Sequence, residues 1–119
     1  MKKTVVIGAT PNTDRYSYKA TVSLERHGHQ VVPLGIRKGE INGRPIINER
    51  PIIEDVDTVT LYINPERQKD WYDYILSLHP KRIIFNPGTE NDELVRSAKA
   101  NGILPLEACT LVLLSTNQY

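Results

Sequence analysis

Apolar and polar positions along this chain fall into short blocks rather than long stripes. Thr4–Ile7 is an unbroken β-branched, mostly apolar run, and Gln30–Leu34, Asp57–Ile63 and Arg82–Phe85 repeat the type. Runs this short, bounded by Gly, Pro and Asn, predict strands buried on both faces. Between them the spacing becomes helical. From Ser17 to His27, Ala20 and Leu24 supply a narrow apolar stripe, and Gly28 stands where a left-handed residue closes a helix. Asn64-Pro65 reads as N-cap and first helical residue, with Trp71, Ile75 and Leu78 on one face and His79-Pro80 as the stop. Thr89 and Asp92, three apart, resemble a capping box, and the helix that follows ends at Asn101-Gly102. Ile103–Leu106 is then a last strand, and Leu111–Leu114 an apolar tail segment that must pack somewhere.

One region breaks this rhythm. Gly39, Gly43, Pro45 and Pro51 interrupt every helical period between Gly35 and Val56, which predicts a long loop around a short strand, Pro45–Asn48. Elsewhere strand and helix alternate, so the expected class is α/β, a mostly parallel sheet of five or six strands between two helical layers.

Composition narrows the reading. A chain of 119 residues, 39% hydrophobic, fits a single domain over 1–119 with a real core. Its net charge of +1 gives no overall field for nucleic acid or an anionic membrane, so any recognition of phosphate must be local. No apolar stretch is long enough to span a bilayer, and the run after Met1-Lys2-Lys3 is too short for a signal-peptide core. The lone cysteine, Cys109, excludes an internal disulfide; a cytoplasmic location is the expectation. A protein partner or a homodimer is left open.

The first strand carries the candidate chemistry. It meets Gly8, passes through a polar loop and re-emerges as a helix, the order of parts in a nucleotide-binding βα unit. Gly8 allows close approach of a diphosphate to the backbone, Ser17 can cap the helix and offer a hydroxyl, and Arg15 and Lys19 add charge. The G-x-G-x-x-G fingerprint is absent, because Gly8 is the only glycine before residue 28. After the second strand, Val32–Lys38 holds no carboxylate for a ribose, while Arg37 and Lys38 follow at once. Two bases there suit a ribose bearing its own phosphate, as in CoA or NADP. The echo of Asn64-Pro65 and Asn86-Pro87, each after a strand end, puts two further loops on the same sheet edge as Gly8.

No catalytic constellation joins them. His27, His29 and His79 have neither the spacing nor the partners of a metal site, and Cys109 between Ala108 and an apolar run favours a buried thiol. Three functions remain: a non-catalytic CoA or acyl-CoA binding module, an NADP-dependent oxidoreductase-like module, and a regulatory domain with a degenerate nucleotide pocket.

Gly8-Ala9-Thr10, Asp14-Arg15 with Ser17-Tyr18, Val32-Pro33, Asn86-Pro87-Gly88 and Cys109 together resemble the small single-domain CoA-binding proteins. These are similar to the CoA-binding domain of the succinyl-CoA synthetase α subunit, and the resemblance covers roughly Val5 to Leu113. It implies a Rossmann-like three-layer fold, with CoA diphosphate at Gly8, Ala9, Thr10, Arg15, Ser17 and Tyr18. It further implies adenosine over the second strand end at Pro33, with Arg37 and Lys38 beyond it. The loops Tyr62-Ile63-Asn64-Pro65 and Asn86-Pro87-Gly88 are then nearby. The chain differs from the family pattern at Tyr16, Gly35-Ile36 and Asn86-Pro87. The synthetase does its chemistry with a phosphorylated histidine in another domain, which has no counterpart in these residues, so the resemblance also implies binding without catalysis.

Overall fold

The computed structural model describes residues Met1–Tyr119. Five parallel strands form the central sheet: β1 (Thr4–Ile7), β2 (Val31–Leu34), β5 (Thr58–Leu61), β6 (Arg82–Phe85) and β7 (Leu104–Glu107). A two-stranded antiparallel hairpin, β3 (Glu40–Ile41) and β4 (Arg44–Pro45), lies apart. Helix α1 spans Tyr16–Arg26, α2 Pro65–Gln68, α3 Tyr72–Ser77, α4 Asp92–Ala100 and α5 Thr110–Ser115. The fold is α/β and Rossmann-like, as the alternating pattern predicts. No helix is long and apolar enough to cross a membrane.

Strand order is β2-β1-β5-β6-β7. The chain moves from β1 to β2 on one side and then returns to lay β5 on the other, so strand order reverses beside β1. In sheets of this kind the loops at the carboxyl ends diverge at the reversal and leave a crevice.

Successive side chains on a strand point to opposite faces, and the two faces are built differently. Val5, Ile7, Val59, Leu61, Ile83 and Phe85 point to the face covered by α3 and α4, where they join the larger buried cluster with Ile75, Leu94 and Ala98. On the opposite face Val6 and Val31 pack with Leu24 of α1, Leu114 of α5, and Ile41 and Ile46 from the hairpin and its exit. The apolar segment at 111–114 thus packs as part of α5, closing this second layer.

Both edge strands carry a proline, at positions where its missing N–H does no harm. Leu104 and Ala108 donate into the sheet, to the carbonyls of Lys81 and Phe85. By alternation the amide position of Pro105 faces the open side. Pro33 is likewise turned outward, and its carbonyl accepts from Ile47, which covers that edge. Prolines placed this way blunt an edge against further strand pairing.

Several boundaries differ from the sequence reading. The short strand expected at Pro45–Asn48 is instead the β3–β4 hairpin, turned by Asn42-Gly43 with φ of 52° and 80°. Asn-Gly is the residue pair a two-residue hairpin favours, because both positions need positive φ. The helix begun at Asn64-Pro65 is broken by a 3₁₀ turn at Lys69–Trp71 before α3 resumes. The cap of α4 is Asn91, not Thr89: Asn91 Oδ1 accepts from the amides of Glu93 and Leu94. Thr89 is buried, and both its amide and its hydroxyl bond the Asn86 carbonyl. The last strand runs one residue later than expected, over Leu104–Glu107.

Candidate functional site

A cleft of about 580 Å³ opens at the carboxyl ends of the strands, across the point where strand order reverses. Its floor is Gly8-Ala9-Thr10 after β1; Gly35-Ile36-Arg37 after β2 forms one wall and Tyr62-Ile63-Asn64 after β5 the other. Pro87-Gly88-Thr89 after β6 closes the far side, and the start of α1 stands over the middle.

Close backbone approaches set this shape. A Cβ on Gly8, whose φ is +100°, would lie 2.8 Å from the Tyr62 carbonyl oxygen. On Gly35 it would lie 2.2 Å from the Ala9 carbonyl oxygen, closer than any real carbon–oxygen contact. The loops after β1, β2 and β5 thus pack backbone on backbone, a spacing only glycine permits.

Helix α1 starts one residue earlier than the sequence suggests. Its N-cap is Arg15, which makes no side-chain cap, and Ser17 is the second helical residue rather than the cap. The amides of Tyr16, Ser17 and Tyr18 consequently have no partner within the chain; the first helical amide bond nearby is Lys19 to the Arg15 carbonyl. Unpaired amides at a helix N-terminus, with the positive end of the dipole behind them, are an anion site. Ser17 is buried against this turn, and no acidic residue occupies it.

Charge at the cleft is one-sided. Arg15, Arg37 and Arg67 line it against a single carboxylate, Asp14. None of the three arginines takes part in an ion pair; the pairs in the chain are Glu25–Arg44, Glu66–Lys69 and Asp57–Lys81.

Of the residues picked out in the sequence, Gly8, Ala9, Thr10, Arg15 and Ser17 line the cleft from the β1 side. Arg37, Tyr62, Asn64, Pro87 and Gly88 line it from the other strand ends. Five do not. Tyr18 packs into the α1 layer against the second apolar cluster. Pro33 is a buried strand residue at the edge of the sheet, and Pro65 opens α2 behind Asn64. Lys38 is exposed next to Arg37, outside the lining. Asn86 sits beneath the cleft with its side chain fully engaged. Its Nδ2 donates to Thr60 Oγ1 at 2.6 Å and the Leu61 carbonyl at 2.9 Å, and its Oδ1 accepts from the Thr110 amide at 2.8 Å. Asn86 is thus the bracket that ties β5, β6 and the start of α5 together.

Residues the sequence reading missed include Asn12, Tyr16, Gly35, Ile36, Arg67 and Trp71. Position after a strand end was a usable signal for Gly35 and Ile36. Trp71 reaches the cleft from the 3₁₀ turn while still packing, with Ile75 and Leu78, against the larger buried cluster. The Arg50 guanidinium stacks over its ring at 3.9 Å, fixing its position.

Tyr62 leans from the cleft into the sheet, and burial pushes its phenol well above the usual tyrosine range. Its oxygen has no hydrogen bond of ordinary length, since the neighbouring Thr60 and Thr110 hydroxyls bond each other at 2.8 Å. Cys109 is half-buried and immediately precedes α5; it does not line the cleft.

A family profile described as a CoA binding domain matches residues 2–115. The chain belongs to the CoA-binding domain family. Among solved structures, this CoA-binding domain is similar to an uncharacterized protein of known crystal structure, at 60% identity and a TM-score of 0.98, covering 100% of this chain and 98% of that one. A hypothetical protein from Pyrococcus horikoshii OT3 shares the fold at 22% identity and a TM-score of 0.87, covering 97% and 82%. A dinucleotide-forming acetyl-coenzyme A synthetase from Ca. Korarchaeum cryptofilum, solved with phosphate and ADP, shares the fold at 17% identity and a TM-score of 0.72; the match covers 88% of this chain and 25% of that enzyme. No curated protein sequence matches.

The residues present fit CoA, the ligand the family specifies. Three unpaired amides and Arg15 suit a diphosphate, Arg37 a ribose phosphate, and the mixed apolar and polar far wall a flexible amide-containing arm.

Proposed function

We propose that this CoA-binding domain holds CoA or an acyl-CoA as a non-catalytic carrier or sensor. The observation that carries the reading is the start of α1: three unpaired amides beside the Gly8 turn, at the reversal of strand order, flanked by unpaired Arg15 and Arg37. In this reading the Tyr16–Tyr18 amides, the Ser17 hydroxyl and Arg15 bind the diphosphate. Arg37, with Lys38 as a neighbouring charge, binds the ribose 3′-phosphate. Tyr62–Asn64 and Pro87–Thr89 take the pantetheine arm.

Native mass spectrometry of the protein as purified is the direct test, with a co-purified CoA adduct as the expected result. Added CoA at ~100 times its dissociation constant should stabilise the fold by about 2.7 kcal/mol. Dephospho-CoA should bind more weakly, and Arg37→Gln should remove that difference. No adduct and no thermal shift with either ligand overturns the reading; NADPH binding with hydride transfer would replace it.

A further inference from the structure

The walls of the cleft are loops, and one buried side chain holds the β5–β6 wall in place. Gln68, at the end of α2, is fully buried. Its Nε2 donates to the Ile63 carbonyl at 2.9 Å and the Thr89 carbonyl at 2.8 Å, so both of its protons are used. Its Oε1 accepts from Asn91 Nδ2 at 2.9 Å, and the same Nδ2 reaches the Tyr72 hydroxyl at 2.8 Å. Asn91 in turn caps α4. Ile63 and Thr89 both line the cleft, beside Asn64 and Gly88. One amide therefore fixes the distance between the loop after β5 and the loop after β6.

A second amide does the corresponding work on the opposite wall. Asn48 Nδ2 donates to the Gly35 carbonyl at 2.9 Å and the Arg37 carbonyl at 3.0 Å, both in the loop after β2. Gln68 makes no side-chain bond to that loop, to the Gly8 turn or to α1. The two side-chain braces thus share no partner.

We infer that Gln68 is the positioning residue for the half of the cleft that receives the pantetheine arm, an inference that rests on the CoA reading above. Gln68 touches no ligand; it acts by holding the Ile63 and Thr89 backbones at a fixed separation before ligand arrives. Preorganised loops bind more tightly because less ordering remains to be done on binding. A glutamate in its place has at most one proton for the two carbonyls, and only when neutral, and a methionine fills the volume without any polar bond.

Calorimetric titration separates this role from simple support of the fold. The ligands are CoA and its pantetheine-free fragment, 3′-phosphoadenosine 5′-diphosphate; the proteins are wild type, Gln68→Glu, Gln68→Met and Asn48→Ala. Both Gln68 variants should lose about tenfold in CoA affinity, the equivalent of about 1.4 kcal/mol, and leave fragment affinity within about twofold. Asn48→Ala should weaken both ligands together, because it releases the Arg37 loop. Equal loss of CoA and fragment in the Gln68 variants overturns the inference. Should those variants fail to fold, wild-type amide chemical shifts decide: Asn64, Gly88 and Thr89 should move with CoA and stay still with the fragment, and the reverse or identical response overturns it. Failure of wild type to bind either ligand instead sinks the CoA reading itself.

Discussion

At the scale of single residues, Gly35 is the tightest point near the cleft. A methyl there would meet the Ala9 carbonyl at 2.2 Å, and backbone on both sides leaves nothing flexible to yield. Gly35→Ala is expected to destabilise the fold by about 2 kcal/mol, the usual cost of overpacking, and to weaken CoA binding by pushing the Arg37 loop away. Urea unfolding and a CoA titration check the two parts. The position shows how far single residues were legible. Gly8 announced itself, because a glycine directly after a buried strand has a known use. Gly35 stood out only as a departure from the family pattern, since the close approach that requires it is to Ala9, remote in sequence. Asn86 was only partly legible for a related reason. Its place after a strand end was visible, but the acceptors and donor that consume its side chain, on Thr60, Leu61 and Thr110, come from other elements.

At the scale of elements, β1, β2, β5 and β6 were legible because burial on both faces leaves an apolar run whatever the neighbours. Helix starts were legible only in part: Asn64 caps α2 with Pro65 as its first residue, as the Asn-Pro pair predicts, but elsewhere the cap depends on which polar side chain remains free. Thr89 was spent on the Asn86 carbonyl and left the cap to Asn91; Ser17 moved inside α1 and left its amides open. Edge strands carry a further consequence. Pro105 withholds a donor from the open side of β7, beside the exposed Leu104. Pro105→Val should restore an outward N–H on an apolar edge and promote self-association. Light scattering across a concentration series would register a larger mass for the variant than for wild type; equal masses would show that the edge is protected by something else.

At the scale of the whole molecule, the beginning and end of the chain are tied together beneath the sheet. The Lys2 amide donates to His29 Nδ1 at 3.0 Å, the Thr4 and Tyr119 hydroxyls share a 2.6 Å bond, and the Tyr119 ring sits against His29 and under Arg82. Burial first, then the positive charges of the N-terminus, His27, Lys2 and Arg82, hold the His29 imidazole below its usual value of 6.5. The unfolded chain then takes up the proton more readily than the folded one, so this contribution is intact above the unfolded value and is lost as pH falls through it. The urea midpoint of wild type should fall between about pH 7.5 and about pH 5.5, and His29→Gln should flatten that fall. An unchanged slope in the variant would assign the pH response elsewhere.

The order of the sheet also governs how the chain can assemble. β1 is made first yet bonds on both sides, to β2 at residues 31–34 and to β5 at residues 58–61. Every pairing in the central sheet joins parallel strands, so none can close as a local hairpin. The reversal of strand order therefore comes into being only after more than half of the chain is present, when β5 docks against a strand that has waited unpaired on one side. The cleft is closed only once the loop after β6 is in place. Such non-local closure places refolding among the slower single domains, on the order of milliseconds or longer. During that interval the exposed flank of β1, rather than the finished surface, is where a folding helper would have most to protect.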